Sequence, residues 1–223
     1  MNIEISPKKV FKRFFYLIIL LLLANILGLI SKYYFDQEYF IALIQLFDFN
    51  IENNIPTLFS SFILIFSSIL LAFIASTHKK QYSSYYPWAG LSLIFLFLSV
   101  DEIASIHERL GAQFRIAFNT SGLLYHAWVI PYGVILVVLI IVYFRFLVHL
   151  PKGTRNLFIV SGTTYVTGAL GFELLGGWQN DLYGSNNLTY SILYTCEEFL
   201  EMLGIVIFIY ALLVYITKQF KPL

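Results

Sequence analysis

A single cysteine, Cys196, is all the sequence offers toward thiolate chemistry. That excludes an internal disulfide, a CxxC redox centre and a cysteine-rich zinc motif. Cys196 itself reads as a small buried apolar residue. Charge is scarce as well. Asp, Glu, Lys and Arg make up 12% of the 223 residues, where a soluble domain carries about twice that share. So few polar side chains could not cover a water-soluble globule, and part of the solvent must be hydrocarbon. The net charge of +1 gives no reason to expect nucleic acid as a partner. Histidine occurs four times, and no two are four residues apart, which leaves out the HxxxH pair of helical metal sites.

What is present is apolar: 59% hydrophobic and 18% aromatic residues, with a mean hydropathy of +0.77. A bilayer core of about 30 Å takes roughly 20 apolar residues in a helix. Six segments qualify, at about 13–33, 57–77, 87–109, 124–148, 155–177 and 190–217. Backbone groups cannot stay unpaired in lipid, so these are helices rather than strands. The expectation is an all-α polytopic bundle forming a single integral membrane domain over 1–223, without a soluble domain or an internal repeat. The first apolar run, Phe14 to Ile30, is longer than a signal-peptide core and is followed by no small-x-small cleavage site.

Basic residues set the orientation. Lys8, Lys9, Lys12, Arg13, Lys79, Lys80, Arg145, Lys152, Arg155, Lys218 and Lys221 fall on one side of a six-span chain; Lys32, Arg109 and Arg115 fall on the other. That division of the 14 basic residues expects both termini in the cytoplasm. Of the 13 acids, only Glu4 lies on the cytoplasmic side. Acids contribute little to topology, so their sorting has another cause.

The connection YFDQEYFIALIQLFDFNIENNIPT (34–57) is too apolar to float in water. Phe40, Ile41, Leu43, Ile44 and Phe47 recur at helical spacing beside Asp36, Glu38 and Asp48. They fit either an amphipathic helix in the headgroup region or an irregular aromatic-rich loop. Two ridges of small residues, Ser68/Ala72/Ser76 and Thr164/Gly168/Gly171, would let neighbouring helices approach closely.

The last four spans all bring ionisable groups to the non-cytoplasmic side. The third supplies Asp101, Glu102, His107 and Glu108. The fourth begins with His126, the fifth ends with Glu173, and the sixth carries Glu197, Glu198 and Glu201. At 1.5 Å per residue Glu201 lies on the order of 15 Å below the surface. On an unbroken helix Asp101 and Glu108 share a face, Glu102 and Arg109 share another and could pair, and His107 projects about 120° away from Asp101. Charged carboxylates at such depth are functional candidates by default. Placed together they must share protons, pair with cations or bind metal.

Carboxylates with histidines suit zinc, manganese or iron, and carboxylates alone suit calcium or magnesium. The candidate metal ligands are Asp101, His107, His126, Glu173, Glu198 and Glu201. Glu108 and Glu197 are the candidate catalytic carboxylates, serving as general base. No organic cofactor is indicated. Acids near helix ends can also reach into the headgroups, which is the alternative for Glu102, Glu108 and Glu173. His126 and His107 could equally be interfacial or packing histidines. His78 and His149 lie on the cytoplasmic side and receive no role. Asn187-Leu188-Thr189 is a glycosylation sequon that matters only in a eukaryotic secretory pathway.

The segments ENNIPTLFSS (52–61), LSVDEIASIHERLG (98–111), WVIPYG (128–133), GALGFELLGG (168–177) and EEFLEMLG (197–204) together resemble an uncharacterised family of bacterial multipass membrane proteins. Its members carry LSxDExxxxHE in the third span and EExxEMLG in the last. The resemblance covers nearly the whole chain and implies a bacterial inner-membrane protein of this architecture, with no assigned reaction.

Three functions fit these residues. A membrane-embedded metalloenzyme would act on a lipid-like amphiphile at the outer leaflet, with Tyr125, Trp128, Trp178, Tyr190 and Tyr194 forming an aromatic rim. A cation or proton-coupled transporter would use the same acids as ion ligands, but needs a polar route to the cytoplasm. A structural subunit would hold a partner or a calcium ion.

Overall fold

The computed structural model describes residues 6–34, 44–81 and 83–220. In chain order its helices are α1 (Pro7–Tyr34), α2 (Ile55–Lys80), α3 (Tyr86–Ala104), α4 (Ile106–Phe118), α5 (Val129–His149), α6 (Lys152–Tyr183) and α7 (Leu188–Gln219). All but α4 are long and apolar enough to cross a membrane, which gives six candidate spans among the described residues.

Local chemistry sets where the helices begin. Asn54 caps α2, its Oδ1 accepting the Thr57 N–H at 3.1 Å, with Pro56 in the first turn. Asn187 caps α7 in the same way, accepting from Tyr190 N at 2.9 Å. A proline, Pro87, opens α3, where its missing N–H costs nothing. Within α6 the stretch Thr167–Phe172 is π-helical. A π-turn changes the direction in which the following side chains point and is frequent at functional sites.

The centre of the bundle is the pair α2 and α7. Ile63, Leu71 and Ile74 of α2 and Val206, Ile209 and Leu212 of α7 are fully enclosed, with Ile18 of α1 beside them. Phe11 and Tyr210 meet with ring centroids 5.7 Å apart, so α1 begins where α7 ends. In lipid, close packing and interhelical hydrogen bonds hold helices together, because apolar burial alone gives no preference. The α2–α3 seam uses both. Ser61 and Ser99 each donate to the other's carbonyl, at 2.9 and 3.0 Å. One heptad along, Ser68 and Ser92 repeat the exchange at 2.7 and 2.9 Å.

Helix α5 stands apart. Only 6% of its most apolar stretch is buried. Its aromatic links to the bundle lie near its two ends, through Trp128 and Tyr132 at one and Phe146 at the other. The gap between is a cavity, described below.

Several expectations change. The third span does not run unbroken to residue 109: α3 ends at Ala104, Ser105 is left-handed (φ 51°, ψ 44°), and α4 starts a new direction. The helix-face arithmetic for Asp101 and Glu108 fails with it, and so does the Glu102–Arg109 pair; no such ion pair forms among the described residues. The fourth span starts at Val129, preceded by a short 3-10 turn, Gly122–Leu124. Between α1 and α2, Ile44 and Gln45 are helical and Leu46 to Asn54 form turns and bends, with no further interfacial helix among the described residues. Phe40, Ile41 and Leu43 lie outside the described residues. Of the small-residue ridges, Ser68 and Gly168 lie in contacts, whereas Ala72, Ser76 and Thr164 are exposed or half-buried.

Candidate metal centre

The break at Ser105 builds the site. The first N–H groups of a helix need partners, and the Asp101 carboxylate supplies one, its Oδ1 accepting from His107 N at 2.9 Å. Its Oδ2 accepts from the Tyr132 hydroxyl at 2.9 Å, tying α3 to α5. Asp101 is 5% exposed and therefore held in place. The reversal at Ser105 also swings the His107 ring back over Asp101. Its Nδ1 stands 3.4 Å from Asp101 Oδ1, and its Nε2 stands 3.4 Å from Glu52 Oε1. Histidine between two carboxylates, oriented through one nitrogen and presenting the other, is the arrangement of a metal-ligating imidazole.

The ring's surroundings are strongly anionic, which favours a cation there, a proton or a metal ion. Burial works to lower the His107 pKa, but Asp101, with Glu52 and Glu102, more than reverses this and pushes it up to about 9. Burial and the neighbouring Glu108 carboxylate push Glu52 up to about 7, against the pull of His107. The Oε2 atom of Glu52 is buried without a hydrogen-bond partner, the kind of unmet acceptor that a cation satisfies. Glu52, His107 and Glu108 each offer one ligand atom, all within 4.8 Å of one another. Zinc takes such ligands at about 2.0–2.2 Å, so a modest closing of this triangle completes three positions around an ion.

A second pair lies across the same chamber. His126 Nδ1 is 3.0 Å from Glu173 Oε1, and Trp128 Nε1 donates to the same oxygen at 2.6 Å. Asn180 Nδ2 lies 3.4 Å from His126 Nε2. Glu173 follows directly on the π-helical turn. Gly168 in that turn allows α6 to press on α7: a Cβ there would stand 2.7 Å from the Glu197 carbonyl oxygen and 3.1 Å from Glu201 N.

Two cavities meet here. The smaller, about 350 Å³, is lined by Glu52, His107, Glu108, Arg115, His126 and Glu173, among others. The larger, about 710 Å³, takes in Asp101, Glu102, Tyr132 and Glu201, then continues between α3, α5, α6 and α7 past Leu91, Phe95, Ile135, Leu139 and Phe158. His107, Trp128, Glu52, Glu197 and Glu198 border both. At the mouth of the smaller cavity the Arg115 guanidinium stacks 3.4 Å over the Tyr125 ring.

Every candidate site residue from the sequence therefore borders one of the two adjoining spaces: Asp101, His107, Glu108, His126, Glu173, Glu197, Glu198 and Glu201. They do not converge on one ion. His107 and Glu108 join Glu52, His126 joins Glu173, and Glu198 and Glu201 are not part of the three-ligand group. Sequence reasoning passed over Glu52 and Tyr132, and left Glu102 as a headgroup or ion-pair residue. Glu52 had a legible signal. It sits two residues before the Asn54 cap of α2, which pins it at the end of a span on the acid-bearing side.

The fold and this cluster define a multi-span helical membrane protein with a His/Glu/Glu group able to coordinate a metal ion. Residues 15–216 match the family described as Domain of unknown function (DUF8692), and the chain belongs to that family. No curated protein and no solved structure matches it.

Proposed function

We propose that this protein is a membrane-embedded, metal-dependent enzyme that acts on a lipid-like amphiphile at the non-cytoplasmic side. The observation that carries the reading is the continuity between a chamber rich in carboxylate and imidazole groups and a deep cavity walled by aliphatic and aromatic side chains. Small-molecule sites have about this size, roughly 300–1,000 Å³, with a few polar groups converging on an otherwise apolar wall.

In this reading Glu52, His107 and Glu108 hold the ion, and Asp101 fixes the His107 ring. A divalent ion there supplies Lewis-acid activation and lowers the pKa of water. Glu197, on the border of both cavities, is the carboxylate best situated to take a proton from a reacting group. His126 and Trp128 hold Glu173 in place as the opposite wall. Arg115, at the rim, meets an anionic or strongly polar headgroup. Glu198 and Glu201 complete the polar roof above the apolar space.

The transporter alternative requires polar groups along a route to the far end. There the cavity is instead closed by aromatics, with Trp88 packed edge-on to Phe146 at 4.9 Å and Phe158 at 6.2 Å. Elemental analysis of the purified protein tests the reading, comparing wild type with Glu52→Gln, His107→Ala, Asp101→Asn and Glu201→Gln. We expect a stoichiometric transition metal that is lost in the first two variants. Calcium alone would favour a structural or transport role, and no metal in any sample would reject the enzyme.

A further inference from the structure

The apolar cavity is a channel with a floor. Its roof is Asp101 with Tyr132, and its floor is the aromatic cluster of Trp88, Phe146 and Phe158. Asp101 and Trp88 are thirteen residues apart on α3, which puts the floor about 20 Å below the roof. Leu91, Leu98, Ile135 and Leu139 line the sides and offer no charge. A cavity of about 710 Å³ running along one face of α5 fits one straight chain.

About one turn below the roof, the wall has a gap. Gly162 of α6 lines the cavity, and a Cβ built there meets nothing within 4 Å. Its neighbour Ser161 donates to the Gly204 carbonyl at 2.8 Å, which puts Gly162 near the level of Gly204. Glu201 is one turn above that level, and Phe158 is one turn below Gly162, about 6 Å further down. Glycine is less favourable than alanine in a helix interior. No close approach of another helix requires glycine at this position.

We propose that Gly162 sets the tail length of the substrate: its missing side chain lets a single straight alkyl chain run from the metal chamber down to the Trp88–Phe146–Phe158 floor. The proposal rests on the amphiphile reading above and adds the substrate class, a single-chain amphiphile, and its specificity residue. A side chain at Gly162 projects into the channel, shortening it without displacing a helix.

The test uses full-length protein in membrane discs with photoactivatable primary alcohols, butyl and octadecyl, each with a diazirine at the tail end. Crosslinked residues are identified by mass spectrometry. In wild type the octadecyl probe labels the floor region around Phe146, Leu147 and Phe158, and the butyl probe labels residues next to the roof. In Gly162→Phe, floor labelling by the octadecyl probe falls by at least about tenfold, the equivalent of two buried methylenes excluded. Butyl labelling stays within about twofold of wild type. Gly162→Leu falls between them, and Gly153→Phe, on the same helix but outside the cavity, behaves as wild type. If floor labelling persists in Gly162→Phe, or falls equally for both probes, Gly162 does not measure chain length, although the amphiphile reading stands. If neither probe labels the cavity lining of wild type, both fail.

Discussion

At the residue scale the centre depends on how one imidazole is held. Asp101 contacts His107 through the ring and through the backbone N–H; in the proposed reading it orients the ring instead of ligating the ion, and such partners are worth about 10–100-fold in metal affinity. Asp101→Asn keeps an acceptor for the N–H but weakens the hold on the ring. Zinc affinity should then drop by about 10–100-fold with stoichiometry retained on saturation. Glu52→Gln, in contrast, removes a ligand and should leave the site unfilled after dialysis. Titration calorimetry and elemental analysis distinguish the two patterns.

Proton competition has a definite sign. A ligating imidazole must be neutral and a ligating carboxylate ionised. His107 holds its proton up to about 9 and Glu52 up to about 7. Protons therefore occupy the site at lower pH, and zinc affinity should rise as pH goes from about 6 to about 9, with proton release on binding. Flat affinity across that range would remove His107 from the ligand set. Glu52 was hard to read as a partner because it lies in a connecting segment 55 positions before His107, and no single-sequence periodicity links the two. The acids on α6 and α7 were legible because lipid makes any intramembrane carboxylate stand out.

At the element scale, the sequence LSVDEIASIHERLG contains no internal glycine or proline, so local propensity continues the helix through Ser105. A left-handed non-glycine residue costs roughly 1–2 kcal/mol, and tertiary partners offset it: Asp101 takes the His107 N–H, and Gly111 lets α4 lie against Trp128, its Cβ position 3.2 Å from that residue. Periodicity cannot register such partners. The α6–α7 contact makes a sharper test. At Gly168 an added methyl would press on the Glu197 carbonyl oxygen at 2.7 Å, whereas at Gly171 the nearest atom, 3.8 Å away, belongs to Thr167 of the same helix. Gly168→Ala should cost about 1–3 kcal/mol, the usual range for overpacking, seen as a lower thermal midpoint in detergent. Gly171→Ala should leave the midpoint unchanged or raise it. Equal effects would mean that the approach of α6 to α7 does not depend on the missing side chain.

On the scale of the whole molecule, the six helices long and apolar enough to cross a membrane were legible because a hydrocarbon solvent leaves few structures open to a chain this apolar. The division of labour among the spans was not legible, since α5 and α7 are alike in hydropathy, 2.4 and 2.5, while 6% of one and 56% of the other is buried. We propose that the chamber faces the non-cytoplasmic side. Ten of the 13 basic residues among the described ones lie at the end where α1 begins and α7 finishes, and the positive-inside rule expects that end in the cytoplasm. With Cys196 replaced by serine, two single-cysteine variants test this. Gln113→Cys lies on the exposed side of α4 beside the chamber, and Lys80→Cys lies at the opposite end of the bundle. A membrane-impermeant maleimide added to intact bacterial cells should label Gln113→Cys and spare Lys80→Cys until the cells are opened. The reverse pattern would put the carboxylates at the cytoplasmic surface, and the amphiphile would then have to be drawn from the inner leaflet.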